Sequence, residues 1–566
     1  LRSRVRAFAL GLAHALLFAL AFPPVGWWWM AFVAPLPLLM LAVRPGRSPV
    51  SAGFWGMLGV LPFWVWTHAW IGEISMAGVY PLVVYLSLYA WAFVVIGARA
   101  ARARVMPPAF GLALAWVGLE FFRARIGWSG YPWYLSGHPL IESPGLAWPA
   151  AVGGVSLVSL LVVLPGAWWA ARRRTPVWAS AVTGVLLFAW LGLGLWWGMS
   201  TPASSGHAVR VGIVQTNVPQ DNRMSWTVEQ RLMDWLVMRD LTVELAMQEP
   251  PPELIVWPEG LVPGWTIDPV ALAHERARGI VWRLNPQTEA EQAAIGHYGS
   301  QVPATQVVDE MLAMQRALGV PMLVGAVAYE NLDIVSGPRG IEYDSDAVFN
   351  SVFLLRSGRV ADVWYDKLHL TPFGETMPYI SAWPWLERRL LSIGAEGMSF
   401  GLDSGRSVRT IPLELGGARD GVQIATPICF EATMPAVCRR LVKAAAAGGR
   451  PVFLVNVTND GWFGNSRRGR LMHELSARWR CIELGLPMVR CANTGVSGLI
   501  DRRGAIVDRL DDRQAGTRIV RVEPGRPATL FLRVGEWAGW VCLLALPGLV
   551  WSGRKLKNGE PAPAAG

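Results

Sequence analysis

The chain has 566 residues, 52% of them hydrophobic and 16% charged, with a formal charge of +10. That excess lies outside the central block, since residues 207–535 carry 35 basic and 36 acidic groups; it is topogenic and argues against a nucleic-acid-binding face. Five cysteines without a CxxC pair give no regular disulfide framework. With His369 and His473 far apart and no HExxH, no metal and no cofactor is expected.

A hydrocarbon core about 30 Å thick needs about 20 mostly apolar residues per helix. Stretches of that kind run over residues 8–21, 27–43, 52–70, 79–97, 109–122, 145–170 and 177–197, and an eighth over 537–551. Residues 1–206 hold only three acidic side chains, Glu73, Glu120 and Glu142. Arg2, Arg4, Arg6, Arg44, Arg47, Arg99, Arg102, Arg104, Arg172, Arg173, Arg174, Arg554, Lys555 and Lys557 fall in alternate loops, against Arg123 and Arg125 in the others. Cytoplasmic loops retain basic residues, so eight spans with both termini cytoplasmic are expected, and the polar block faces outward. Trp27, Trp28, Trp64, Trp66, Trp70, Trp196 and Trp197 sit at the expected outer ends, where indole rings anchor at headgroup level. The first stretch also has the basic start of a signal peptide, but its removal would break the alternation of charge. The expected division is a seven-helix membrane domain over 1–206, a catalytic domain over 207–535, and a last helix with a cytoplasmic tail over 536–566.

Within the polar block, HAVRVGIVQTNV, ELIVWPEG, VPMLVGAVAY, NSVFLLRSG, VQIATPICFE, PVFLVNVTND and PMVRCANTGVSGLI have the β-branched, apolar character of buried strands. Helical patterns over 228–247, 307–318, 434–447 and 470–484 alternate with them, which predicts sheet layers covered by helices. Residues 268–306 read as a polar, irregular insertion.

Two of these strands end in the motifs WPEG and PICFE, and a third strand-ending motif, YDKLHLTPFGE, follows NSVFLLRSG; together they supply Glu259, Cys429 and Lys367. A thiol of ordinary pKa is only a few per cent thiolate at neutral pH, so a nucleophilic cysteine needs a base or a positive charge nearby. Glu259 offers the first and Lys367 the second, and an ammonium also stabilises a developing oxyanion. Alone, each has a plainer reading: a small buried thiol, a helix-capping carboxylate, a solvated lysine. Their joint occurrence in this order, with Glu375 after Lys367 and Glu431 after Cys429, points to one site for cysteine acyl chemistry.

At these residues the block resembles the nitrilase superfamily, and with its apolar flanks the chain resembles the apolipoprotein N-acyltransferase family. VQTNVPQ, WPEG, KLHLTPFGE, ICFE, TNDGWFG and the GYPW at 130–133 carry the resemblance over nearly the whole length. It implies a polytopic α-helical membrane domain joined to an α/β nitrilase-like αββα sandwich. It further implies transfer of the sn-1 acyl chain of a phospholipid to the α-amine of a diacylglyceryl apolipoprotein at a bacterial inner membrane. The bilayer, the phospholipid and the apolipoprotein are the implied partners. Carried onto this sequence, Cys429 is the nucleophile, Glu259 the general base and acid, and Lys367 the oxyanion partner, with the Phe430 amide as a second donor. Glu375 and Glu431 would hold Lys367 and the thiol, and Trp226 would meet substrate. Phe430 stands where many members carry tyrosine. Tyr379, Trp383 and Trp385, in the loop after Glu375, and Trp462 are candidate substrate-facing aromatics that would exclude water. A membrane-tethered nitrilase-type amidase is the alternative, since the same triad can use water. Glu120 and Arg123, one helical turn apart, would either position a headgroup or form an interfacial salt bridge.

Overall fold

The computed structural model describes residues 1–73, 76–200, 208–219, 227–264, 266–337, 340–377, 380, 383, 385, 389, 401–415 and 421–553. The chain folds as two compact units: Leu1–Pro202 with Ser466–Glu483 and Thr529–Gly566, and Ala203–Asn465 with Leu484–Ala528. The sequence suggests division at single points, whereas a segment from the middle of the polar block clusters with the apolar helices.

In the apolar unit, helices stand at all eight expected positions, but their character differs. Five are long and apolar enough to cross a membrane: Arg2–Ala21, Pro49–Gly72, Gly78–Ala100, Ala150–Ala171 and Val177–Met199. Trp28–Val43 and Trp537–Ser552 are shorter. The former is divided into a 3-10 turn Trp28–Phe32 and a helix Leu36–Val43, with Pro35 at the junction. The helix Pro108–Arg125 carries Glu120, Arg123 and Arg125 in its last turns. Without a hydrophobic drive between helices in lipid, close approach relies on small residues. A Cβ on Gly11 would strike the Gly56 carbonyl, and one on Gly59 the Phe8 carbonyl, so Arg2–Ala21 and the helix Pro49–His68 meet backbone to backbone.

The helix Arg467–Leu484 belongs to this unit except for its last residue, and it is buried from Met472 onward. Arg478 pairs with Glu142 at 2.5 Å, and Trp479 Nε1 donates to the His138 carbonyl at 3.2 Å. Glu483 accepts the Val155 N–H at 3.1 Å, just where Gly153 and Gly154 break the helix Ala150–Ala171. A helix interruption frees backbone donors that must find partners, and here a carboxylate supplies one.

The second unit has sixteen strands among its described residues. These are β1 Val209–Gln215, β2 Leu254–Val256, β3 Val281–Arg283, β4 Gln301–Pro303, β5 Met322–Glu330, β6 Asp333–Gly337, β7 Gly340–Asp344 and β8 Ala347–Arg356. They continue as β9 Arg359–Asp366, β10 Ile411–Leu413, β11 Val422–Ala425, β12 Val452–Thr458, β13 Met488–Ala492, β14 Gly498–Ile500, β15 Ile506–Arg509 and β16 Gly516–Val522. Two six-stranded sheets result, in the orders β16-β1-β2-β5-β8-β9 and β10-β11-β12-β13-β14-β15. The central strands β1, β2 and β5 run parallel, as do β11, β12 and β13. The sheets face each other: Cys491 Sγ on β13 lies 3.4 Å from the Val214 carbonyl and 3.2 Å from that of Val256. The helix Val228–Ala246 packs outside β1 and β16, and Pro435–Ala446 outside β11 and β12.

The insertion is not irregular. It forms the helix Pro269–Arg278, the helix Glu289–Ile295 and the β3–β4 hairpin, and it buries Trp282, Leu284, Ile295 and Val302 in the core beside the first sheet. Widely spaced apolar residues masked this core contribution in the sequence.

Candidate active site

The three expected residues leave the sheets just beyond β2, β9 and β11. The carboxyl ends of strands are where α/β sheets present side chains to ligands. Glu259 is held close to β5, since a Cβ on Gly325 would lie 2.8 Å from its Cα and 2.9 Å from the Pro258 oxygen. Only a residue without a side chain lets WPEG approach so closely. Lys367 is pinned on both sides of its peptide, donating its N–H to the Asn350 carbonyl at 2.8 Å and accepting from Gly405 at 2.7 Å. Cys429 opens a 3-10 turn, Cys429–Thr433, with φ of +50°. That left-handed conformation is costly for a residue with a Cβ and persists only where neighbours enforce it. Ile428 is bridged to Val457 of β12, and Asn456 donates to the Pro427 carbonyl at 2.9 Å.

These turns bring the side chains together. Lys367, 0% exposed, places Nζ 2.6 Å from Glu375 Oε2 and 3.5 Å from Glu259 Oε1. Burial disfavours its charge, but the carboxylates of Glu375 and Glu259, with Cys429, outweigh that and raise its pKa. Glu375 shows the reciprocal balance: burial raises it, and the ammonium brings it below its ordinary value. Burial pushes the Cys429 thiol up, and the charges of Glu259 and Glu375 push it further against the opposing pull of Lys367.

Sequence reading missed the asparagines. Asn350 Nδ2 bridges Glu259 Oε1 at 2.6 Å and Glu375 Oε1 at 3.1 Å. The Asn459 N–H donates to Glu259 Oε2 at 2.9 Å, and Asn493 Nδ2 holds the Asn459 side chain at 2.9 Å. Asn493 also accepts from Thr216 and from the Val218 N–H, both at 2.8 Å. VQTNVPQ and TNDGWFG thus meet behind the general-base candidate. Beneath them Arg490 pairs with Asp460 at 2.5 Å, both buried. A polar residue within or just beyond an otherwise apolar strand was the available signal.

Glu375 bonds Lys367 directly. Glu431 instead works through the backbone: it accepts the N–H groups of Leu368 at 2.7 Å, His369 at 2.9 Å and Ile428 at 2.9 Å, and the Tyr365 hydroxyl at 2.9 Å. It ties the turn after Lys367 to the turn before Cys429, and burial pushes its carboxyl up to about 7. The Phe430 ring stacks on His369 at 6.1 Å. Trp462 is half-buried in the turn Asp460–Phe463. Trp383 and Trp385 are 56% and 63% exposed. Trp226 and Tyr379 lie outside the described residues.

Known proteins match both parts of the chain. The model for the apolipoprotein N-acyltransferase N-terminal domain matches residues 14–168, and that for carbon-nitrogen hydrolase matches residues 210–528. The chain is similar to the apolipoprotein N-acyltransferase of Azotobacter vinelandii, with 30% identity over 98% of this chain and 96% of the relative. It is also similar to that of Pseudomonas aeruginosa PAO1, with 30% identity over 97% and 96%, and to that of Geobacter metallireducens, with 26% identity over 95% and 93%.

Proposed function

The chain belongs to the apolipoprotein N-acyltransferase family, and from that premise we propose that it moves the sn-1 acyl chain of a membrane phospholipid, through a thioester on Cys429, to the α-amine of an S-diacylglyceryl-cysteine apolipoprotein. The observation that carries this reading is the buried cluster of Glu259, Lys367 and Glu375 acting electrostatically on Cys429.

A general-base candidate in the same cluster as the sulfur suggests the order of events. Sγ attacks the ester carbonyl as its proton passes to Glu259, whose oxygens are aimed by Asn350 and the Asn459 amide. Lys367 Nζ and the Phe430 N–H take the oxyanion charge. The carbon–oxygen bond then breaks, Glu259 returns the proton to the leaving lysophospholipid oxygen, and the thioester remains. In the second half the acceptor amine loses a proton to Glu259, the carbon–nitrogen bond forms, and the sulfur departs as a thiol. This is a ping-pong sequence. Lys367 stays compensated because Glu375 flanks it throughout, and the second negative charge beside it is either the Glu259 carboxylate or, while Glu259 holds the proton, the oxyanion.

In this reading all eight apolar helices cross the bilayer with both termini cytoplasmic, the division at 206 and 535 separates membrane from catalytic sequence apart from the helix Arg467–Leu484, and the strand-bearing unit lies outside the cytoplasm. The alternating arginines support that orientation. Exposed Trp383 and Trp385 enter the outer leaflet and exclude water, which would otherwise compete for the thioester. Intact-mass measurement after incubation with phospholipid tests the first step: an acyl adduct on Cys429 is expected, and its absence refutes the reading. Added diacylglyceryl peptide must discharge the adduct as an N-acyl peptide; discharge only as free fatty acid would indicate a hydrolase.

A further inference from the structure

Within the apolar unit, the end of the helix Pro108–Arg125 and the first turn of Arg467–Leu484 gather two guanidiniums that no carboxylate among the described residues contacts. Arg123 is 3% exposed, lies 5.2 Å from the centre of the Trp64 ring, and donates through Nη2 to the Tyr134 carbonyl at 3.0 Å. Its Nη1 has no hydrogen-bond partner. Arg468 sits 3.4 Å from the centre of the Trp66 ring and donates to the Trp66 carbonyl through Nη1, while its Nε is buried and unbonded. Among the described residues neither guanidinium forms an ion pair.

Glu120 and Arg123 act on each other electrostatically but form no ion pair, and Glu120 Oε1 is engaged elsewhere. Glu120 Oε1 accepts from the Ser136 N–H at 2.9 Å, its hydroxyl at 2.6 Å and Trp116 Nε1 at 2.9 Å. Both guanidiniums act electrostatically on His68, whose Nε2 shares a 2.5 Å hydrogen bond with the Tyr131 hydroxyl. The Tyr134 hydroxyl, which also feels Arg468, is buried without a partner. Trp66, Tyr131 and Arg468 are only half-buried, so they form a rim above a closed floor of His68, Arg123 and Tyr134.

A buried cation with no carboxylate in contact is costly, and an anion reaching this rim would offset that cost. A phosphodiester fits the donor set, because its two unesterified oxygens accept from guanidinium N–H groups and from a phenol. We propose that Arg123, Arg468, Tyr134 and the His68–Tyr131 pair form a binding site for the phosphodiester of a phospholipid, distinct from the residues that attack its ester. Free phosphate shares the chemistry. The lipid is favoured because His68 of the floor and Trp66 of the rim lie on a helix, Pro49–Gly72, long and apolar enough to cross a membrane. Taken with the donor lipid of the preceding section, on which this assignment rests, these side chains select a phosphorylated headgroup.

The test uses the full chain in neutral detergent and reads binding without turnover, by native mass spectrometry. The probes are dihexanoyl phosphatidylglycerol, dihexanoylglycerol and inorganic phosphate. Wild type should bind the phospholipid more tightly than the diacylglycerol, and R468Q and R123Q should each weaken only the former, by about tenfold or more. R468K should fall between, since it keeps charge but loses the planar fork. R468Q alters a rim residue, and its melting temperature, if preserved, separates lost recognition from lost folding. Equal affinity of wild type for both lipids, or a preference that survives in R468Q, overturns the proposal. Inorganic phosphate binding as tightly as the phospholipid overturns the lipid assignment in favour of a free-anion site. Acylation of Cys429 is a separate measurement, so either result can fail while the other stands.

Discussion

Replacing Glu375 with glutamine separates the positioning of Lys367 from the reactivity of the sulfur. Glutamine keeps the size of the side chain and an oxygen that can accept from the Thr371 N–H, 2.8 Å away, or from Nζ, 2.6 Å away. It removes one of the two carboxylates beside an ammonium that is wholly buried, leaving Glu259 at 3.5 Å. Exchanging a charged for a neutral hydrogen bond while one counter-charge remains should cost about 2–3 kcal/mol. If that loss appears in the barrier, acylation slows roughly 30- to 150-fold. The thiol should move the opposite way. The Glu375 charge is among the influences that raise the Cys429 pKa, so E375Q lowers it, and alkylation of Cys429 by iodoacetamide near neutral pH becomes faster. Single-turnover acylation from phospholipid micelles and the pH profile of alkylation measure the two effects. Unchanged acylation, or an alkylation profile displaced to higher pH, would refute the assignment of Glu375 as the residue that holds Lys367.

The same carboxylate gives a pH dependence. Burial raises its pKa but Lys367 brings it below the ordinary value, so its contribution to stability is present above about pH 4.5 and lost as pH falls through the lower folded value; unfolding midpoints below pH 4.5 should therefore fall less steeply in E375Q than in wild type. Asn350→Ala removes both amide bonds to Glu259 and Glu375 and should lower kcat by about tenfold or more with little change in melting temperature. A large fall in melting temperature instead would make Asn350 a folding residue. Gly325→Ala forces a Cβ against the Glu259 backbone and should cost about 1–3 kcal/mol, read as a lower melting temperature with impaired acylation. Trp383→Ser with Trp385→Ser should slow thioester formation from bilayer lipid more than from short-chain lipid in solution, and equal effects would remove the leaflet-insertion idea.

Much of the site was legible because its chemistry falls at the ends of strongly apolar strands. ELIVWPEG and VQIATPICFE announce both the strand and the residue that leaves it, and β2 and β11 end just before Glu259 and Cys429. Edge strands were harder: β9, with exposed Arg359, Glu-free but half-polar RVADVWYD, and β16, GTRIVRV, alternate too weakly to stand out from loops. PMVRCANTGVSGLI read as a single strand, yet it turns back on itself as β13 and β14. The helix Arg467–Leu484 was visible as a helix, but its company was not. Arg478, Arg480 and Glu483 suggest a solvated face, and only the structure shows that they are buried and that Arg478 and Glu483 reach Glu142 and the broken turn at Val155. Asn350 and Asn493 gave no signal beyond a polar side chain in a strand setting, since a second-layer hydrogen bond has no spacing rule.

The placement of Arg467–Leu484 also limits how this polypeptide can be dissected. Its neighbours on both sides along the chain, up to Asn465 and from Leu484, belong to the strand-bearing unit, while the helix itself is counted with the apolar one. No pair of truncations yields a water-soluble catalytic fragment that is whole: keeping residues 203–528 leaves Trp479, Arg478 and Glu483 stripped of His138, Glu142 and Val155. An expression strategy would have to excise the helix and bridge the gap, or produce both halves together and let them reassociate.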